Sequence, residues 1–347
     1  MLGVNIKRGV TQVNVFALFY IAAIMTAVSG YINAQMTFLL KSEQYYNIHH
    51  DVIGRVNAEI LFYANIIPLM LCPMFGYIYD IFGRRIPIYT AIFGSIICMS
   101  LMPQVSPNLN LLILIRTIQS TFCVLIISNP LIADYIKKDS RGKAIALVAT
   151  GMGLGEAFSM TVLFGLSAAL PLNQSYQFAS AVLITMSLAS LFMLREPEIK
   201  MNKRKEIMRR DADGITERSA CSNPSSQSAD ICMDLGFGDK VKYLTSRVME
   251  LVMSDIKYPL CFLGVMVSKL VTILYSIYLM LWMTSFVSTG AIESDERVKT
   301  LYSEVLTGAM VGTLIAMPFF GKIADSAPIG VFLPIAFLVR GAIAYQF

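Results

Sequence analysis

Charge is scarce in this chain. Only 15% of its 347 residues are Asp, Glu, Lys or Arg, against roughly 25% in soluble domains. With 56% of residues hydrophobic, a water-soluble globule is excluded. Histidine is nearly missing as well: His49 and His50 are the only two, adjacent and without the spacing of a helical metal site. The six cysteines, at 72, 98, 123, 221, 232 and 261, show no paired spacing. Neither a disulfide framework nor a zinc centre follows from them. No phosphate loop, metal cluster or nucleophile–base arrangement is present, so the chain does not read as an enzyme and implies no cofactor.

Long apolar runs, each with at most one charge, fill the space that these absences leave. About 20 apolar residues span a hydrocarbon core, and nine such runs occur, near 9–40, 57–79, 86–102, 109–133, 144–170, 174–194, 258–287, 301–320 and 329–347. The first is too long for a signal-peptide core and is expected to be retained as a helix. The expected class is an all-α polytopic membrane protein. A six-helix N-terminal bundle would occupy 1–194 and a partial, three-helix C-terminal bundle 258–347.

Between them, 195–257 holds 12 Lys or Arg and 11 Asp or Glu around a Ser-rich core at 219–228. That core has too little apolar surface to order itself. Near 240–254, Val241, Leu244, Val248, Leu251 and Val252 recur at helical spacing. This predicts an amphipathic helix lying on the membrane face.

The net charge of +5 is an asymmetry of topology and does not suggest nucleic acid. The N-terminus, the turns 2–3 and 4–5, the linker and the turn after span eight carry 21 of the 28 Lys and Arg, and the opposite turns carry four. Without the linker the ratio is still nine to four. The positive-inside rule therefore assigns the N-terminus and the central loop to the cytoplasm.

Shifting the sequence by 245 residues aligns span two with span eight. Between 59–80 and 304–325, nine of 22 positions are identical, including Glu59/Glu304, Pro73/Pro318, Gly76/Gly321 and Asp80/Asp325. Both copies run from outside to inside. Parallel repeats about an axis along the membrane normal are a transporter architecture.

Span two closes on Gly76, Asp80, Gly83, Arg84 and Arg85, spaced Gly-x-x-x-Asp-x-x-Gly-Arg-Arg. This resembles the signature loop between helices two and three of the major facilitator superfamily of secondary transporters. Arg116 with Gln119 and Ser120 is similar to that family's Arg-x-x-Gln-Gly motif, with Ser in the last place. Asp134 with Arg141, Gly142 and Lys143 looks like its helix 4–5 loop. The family has twelve helices, three more than are counted here. Its helix-five antiporter motif is half present: Gly151 and Gly155 fit, whereas Glu156 takes the proline position.

The resemblance implies transport of a small solute by alternating access in a lipid bilayer, and leaves open whether a proton is coupled. The alternative is a truncated, non-transporting or receptor-like relative. It also implies a latching role for Asp80 on the cytoplasmic side, against a helix beyond the nine, and a matching one for Asp325 beside Gly321. At residue level, Gly76 would allow close approach of a neighbour, Gly83 a positive φ, and Asp80 could pair with Arg84 if the helix continues.

Six charges lie within the spans: Glu59, Arg116, Glu156, Lys269, Glu304 and Arg340. Such residues are costly and usually face a cavity or a partner. Arg116 and Lys269 are expected to face the cavity and attract an anionic or strongly polar solute. Glu156 would pair with one of them or carry a coupling proton. Fixed ion pairs that only orient helices are the other reading of these three. Glu59, Glu304 and Arg340 lie near the outer ends of their spans, within snorkelling reach of the interface.

Overall fold

In lipid every backbone N–H and C=O must be satisfied within its own segment, so apolar runs of this length become helices. The computed structural model describes residues 5–194, apart from 8, 128–130, 138–139 and 168–169, together with isolated helical positions between 246 and 312. Six described stretches are helical, long and apolar enough to cross a bilayer: Gln12–Lys41, Asp51–Leu71, Arg85–Val105, Leu109–Tyr135, Arg141–Ser167 and Leu172–Met193. They coincide with the first six expected spans. The ordering of the linker, most of its amphipathic helix and the full extent of spans seven to nine lie outside the described residues.

The helices are α1 (Gln12–Lys41), α2 (His50–Phe82), α3 (Arg85–Leu101), α4 (Leu109–Ile127), α5 (Leu131–Tyr135), α6 (Arg141–Phe158), α7 (Phe164–Ser167) and α8 (Leu172–Met193). Two boundaries differ from expectation. The second span starts earlier than the run expected from 57, because α2 begins with His50 and places Asp51 in its first turn, where a carboxylate suits the helix dipole. The fifth span is not one uniform helix: a π-helical turn, Ser159–Leu163, separates α6 from α7.

Hydrogen bonds define the two ends of the bundle. At the end where α1 begins, Asn14 Nδ2 donates to Met193 O (2.8 Å) and Tyr89 Oη to Leu191 O (3.1 Å). Here residues 5–7 also pair with the connection between α4 and α6. Ile6 and Ile136 form an antiparallel bridge, the only β-pairing among the described residues. Lys7 N donates to Tyr135 O (2.9 Å), Lys137 N to Asn5 O (3.0 Å), and Asn5 N to Ser140 Oγ (3.1 Å). At the opposite end Ser106 Oγ donates to Tyr45 O (2.6 Å) and Tyr46 Oη to Met102 O (3.4 Å). Burial pushes the Tyr46 hydroxyl up to about 12, so it stays a donor at neutral pH.

Helix α1 is central, packing most extensively on α6 and also on α8, while α4 packs on α2 and α3. Apolar burial gives little drive between helices already in lipid, so association depends on close backbone packing and polar contacts. The α1–α6 seam supplies the first. A Cβ at Gly151 would overlap the Phe19 carbonyl oxygen, and one at Gly155 the Ala23 carbonyl oxygen. The half-motif glycines of span five are therefore packing positions. The close approach expected at Gly76 is not made among the described residues, where an added Cβ would meet nothing within 4 Å.

Candidate functional site

The turn between α2 and α3 is tight because α2 ends at Phe82 and Gly83 takes φ 79°, a conformation that glycine adopts without a Cβ penalty. The turn aims Arg84 inward. Its guanidinium is 5.5 Å from the Tyr79 ring centroid, and its Nε donates to Asp134 Oδ2 at 2.8 Å. Side-chain exposures of 4% and 16% make this a largely desolvated ion pair. The helix does not continue through Arg84, the condition set for an i, i+4 pair with Asp80, and only the backbone of Asp80 is described. Arg85 points the other way: it is exposed, lies over the Tyr89 ring (5.7 Å) and donates to Leu191 O (3.2 Å). The turn thus binds α2 to α5 through Arg84 and α3 to α8 through Arg85.

A second polar cluster is held between α1, α3 and α4. Arg116 is 5% exposed. Its Nη2 donates to Asn33 Oδ1 on α1 (2.7 Å), and its Nη1 bonds to Gln119 Oε1 one turn along α4. Gln119 Nε2 donates in turn to Ser95 Oγ on α3 (3.1 Å) and to Cys123 Sγ (3.0 Å). Cys123 Sγ also lies 3.3 Å from Ser29 Oγ on α1. Among the described residues no carboxylate pairs with Arg116. Every partner it has among the described residues is neutral, so within them its positive charge is held by dipoles.

A third layer lies beside it, on α1 and α8. Tyr31 Oη is 2.5 Å from Ser175 Oγ, which also accepts from Gln35 Nε2 (3.3 Å). Tyr31 meets Tyr176 edge-on at 5.6 Å. The Tyr176 hydroxyl and Gln35 Oε1 are buried and have no hydrogen-bond partner among the described residues.

Glu156 is not brought to Arg116. It sits half-buried on the α1–α6 seam, its Cγ 3.5 Å from where a Gly30 Cβ would stand, three residues before the π-helical turn. Such turns often mark functional sites in helices. Glu156 also interacts electrostatically with Tyr302, a residue of the second half. Nearby, Ala34, Met160 and Phe164 form an apolar patch with Met283, Val298 and Tyr302, so the two halves touch at the end opposite the N-terminus. Glu59 and Glu304 are both exposed and helical. Lys269, Gly321, Asp325 and Arg340 lie outside the described residues. Sequence reasoning missed Asn33, Gln35 and the Tyr31–Ser175 pair. Their signal was polar side chains inside an otherwise apolar first run.

Six membrane-length helices among the described residues, a pinned turn between the second and third, and charge held within the bundle define a polytopic helical membrane protein. Residues 13–346 match the family model of the Major Facilitator Superfamily, and the chain belongs to that family. It is accordingly a transporter of the major facilitator type. No curated protein matches the chain.

Proposed function

We propose that the protein carries a small anionic or strongly polar solute by alternating access, with Arg116 as the group that attracts it. One observation carries this reading: a nearly fully buried guanidinium whose partners, among the described residues, are all neutral. Removing a charge from water is expensive unless an opposite charge compensates it, and an intramembrane ionisable residue is by default functional. An anionic solute would provide the missing counter-charge for part of the transport cycle. Glu156, on the seam beside Tyr302, is assigned the coupling role, and Lys269, in the seventh expected span, is assigned as a second cation that attracts the solute.

The two bundles, 1–194 and 258–347, would rock about this site, joined by the linker 195–257. The apolar patch of Met160, Phe164, Met283, Val298 and Tyr302 is the contact that rocking must break at one end. The cationic N-terminus and linker face the cytoplasm in this reading.

Uptake into proteoliposomes from a panel of anionic and neutral solutes tests it. Arg116→Ala is expected to lower uptake of the carried anion at least ~100-fold, since a desolvated charge pair is worth roughly 3 kcal/mol or more. Arg116→Lys should restore part of it, because charge returns without the planar fork. Unchanged uptake in Arg116→Ala would refute the assignment.

A further inference from the structure

The Arg116 network does not end in packed protein. Its far members, Cys123 and Ser29, are also walls of a cavity of about 80 Å³ between α1, α4, α5 and α6. That volume far exceeds the one-water minimum of roughly 10–15 Å³. The rest of the lining is mainly aliphatic and thioether: Met25 on α1, Ile126 on α4, Val148 and Met152 on α6. The hydroxyls present are already committed. Thr26 bonds to the Ala22 carbonyl, and Ser29 contacts Cys123. The cavity therefore offers carbon and sulfur surface, with no charged side chain in its lining.

Arg116, Gln119, Cys123 and Ile126 are spaced i, i+3, i+7 and i+10, one face of α4. On the facing helix Asn33, Ser29 and Met25 are spaced by four, again one face. The same α1–α4 seam thus runs from a guanidinium at one end to an apolar chamber at the other. The offset from Arg116 to Cys123 is roughly 10 Å, at 1.5 Å per residue. A compact inorganic anion would use only the first end. We infer that the ligand is an amphipathic organic anion, its carboxylate or similar head at Arg116 and Asn33 and its hydrocarbon tail in the chamber lined by Met25, Ile126, Val148 and Met152. This rests on the reading of Arg116 as the anion-attracting group, and adds the second half of the ligand.

Binding of straight-chain carboxylates (acetate, butyrate, hexanoate, octanoate) to the full chain in nanodiscs tests the inference. Sulfate and hexanol serve as head-only and tail-only probes, and empty nanodiscs report lipid partitioning. The expected result is a ladder, each methylene tightening binding about fourfold until the chamber is full, with hexanol and sulfate both weaker than hexanoate by at least tenfold. Val148→Phe fills the chamber and should flatten the ladder, so that hexanoate binds no better than acetate. Arg116→Gln should remove carboxylate binding at every chain length, and Arg116→Lys, which keeps the charge, should retain part of it.

A flat ladder in the wild type, with binding that still depends on Arg116, overturns the amphipathic ligand and leaves the anion reading standing. Carboxylate and sulfate binding equal in wild type and Arg116→Gln overturns the anion reading itself. A ladder unchanged by Val148→Phe, or equal to that of empty nanodiscs, overturns the chamber as the tail site.

Discussion

Arg84 and Arg116 show two ways of holding a guanidinium away from water. Arg84 has a carboxylate, Asp134, at 2.8 Å and an aromatic face beneath it. Arg116 has amides. The first arrangement is structural, and removing one partner takes a close counter-charge from a largely desolvated ion. Asp134→Asn is expected to destabilise the N-terminal bundle by about 3 kcal/mol, seen as a lower thermal midpoint in detergent, with Arg84→Gln similarly harmful alone. The double variant should recover part of the loss, since neither charge remains; additive losses would show that the two residues act separately. The sequence showed that Arg84 and Asp134 were present, but not that they meet. They stand 50 residues apart, and only the fold brings them together. Asn33 was hidden for a related reason: one amide in an apolar run has no periodicity to mark it, and becomes informative once its neighbour on α4 is known.

At the scale of elements, the α1–α6 seam should respond to volume at one glycine and not at another. Gly155 faces the Ala23 backbone, which cannot step aside, whereas an added Cβ at Gly165 on α7 meets nothing within 4 Å. Gly155→Ala is therefore expected to cost about 1–3 kcal/mol through overpacking. Gly165→Ala should be neutral or stabilising by up to about 1 kcal/mol through helix propensity. Thermal unfolding of the purified variants checks both, and an equal response at the two sites would remove the seam as the explanation. The helices themselves were legible, because an apolar run of membrane length has few alternatives in lipid. Their irregularities were not. Ser159–Leu163 looks like any other apolar stretch, and its π-helical turn depends on tertiary packing. The α2 start at His50 was hidden because polar residues there resemble a loop.

At the scale of the whole molecule, the charge asymmetry sets an outcome that can be measured directly. Epitopes placed at the N-terminus and within the linker near residue 220 should both stain only after the membrane is permeabilised, and one in the turn near residue 43 should stain without it. Staining of the linker epitope from outside would overturn the topology. The pairing of Asn5, Ile6 and Lys7 with Tyr135, Ile136, Lys137 and Ser140 bears on how that topology is reached. The first of these segments is made before the second, and this pairing cannot form until residues 135–140 have followed it. The two can meet only if an even number of crossings lies between them. A helix that fails to insert, or inserts twice, leaves them on opposite faces of the bilayer with some 30 Å of hydrocarbon between. This short pairing, with Ile6 and Ile136 as its one β-bridge, thus acts as a parity check on insertion, closing only on chains with an even number of crossings between the two segments.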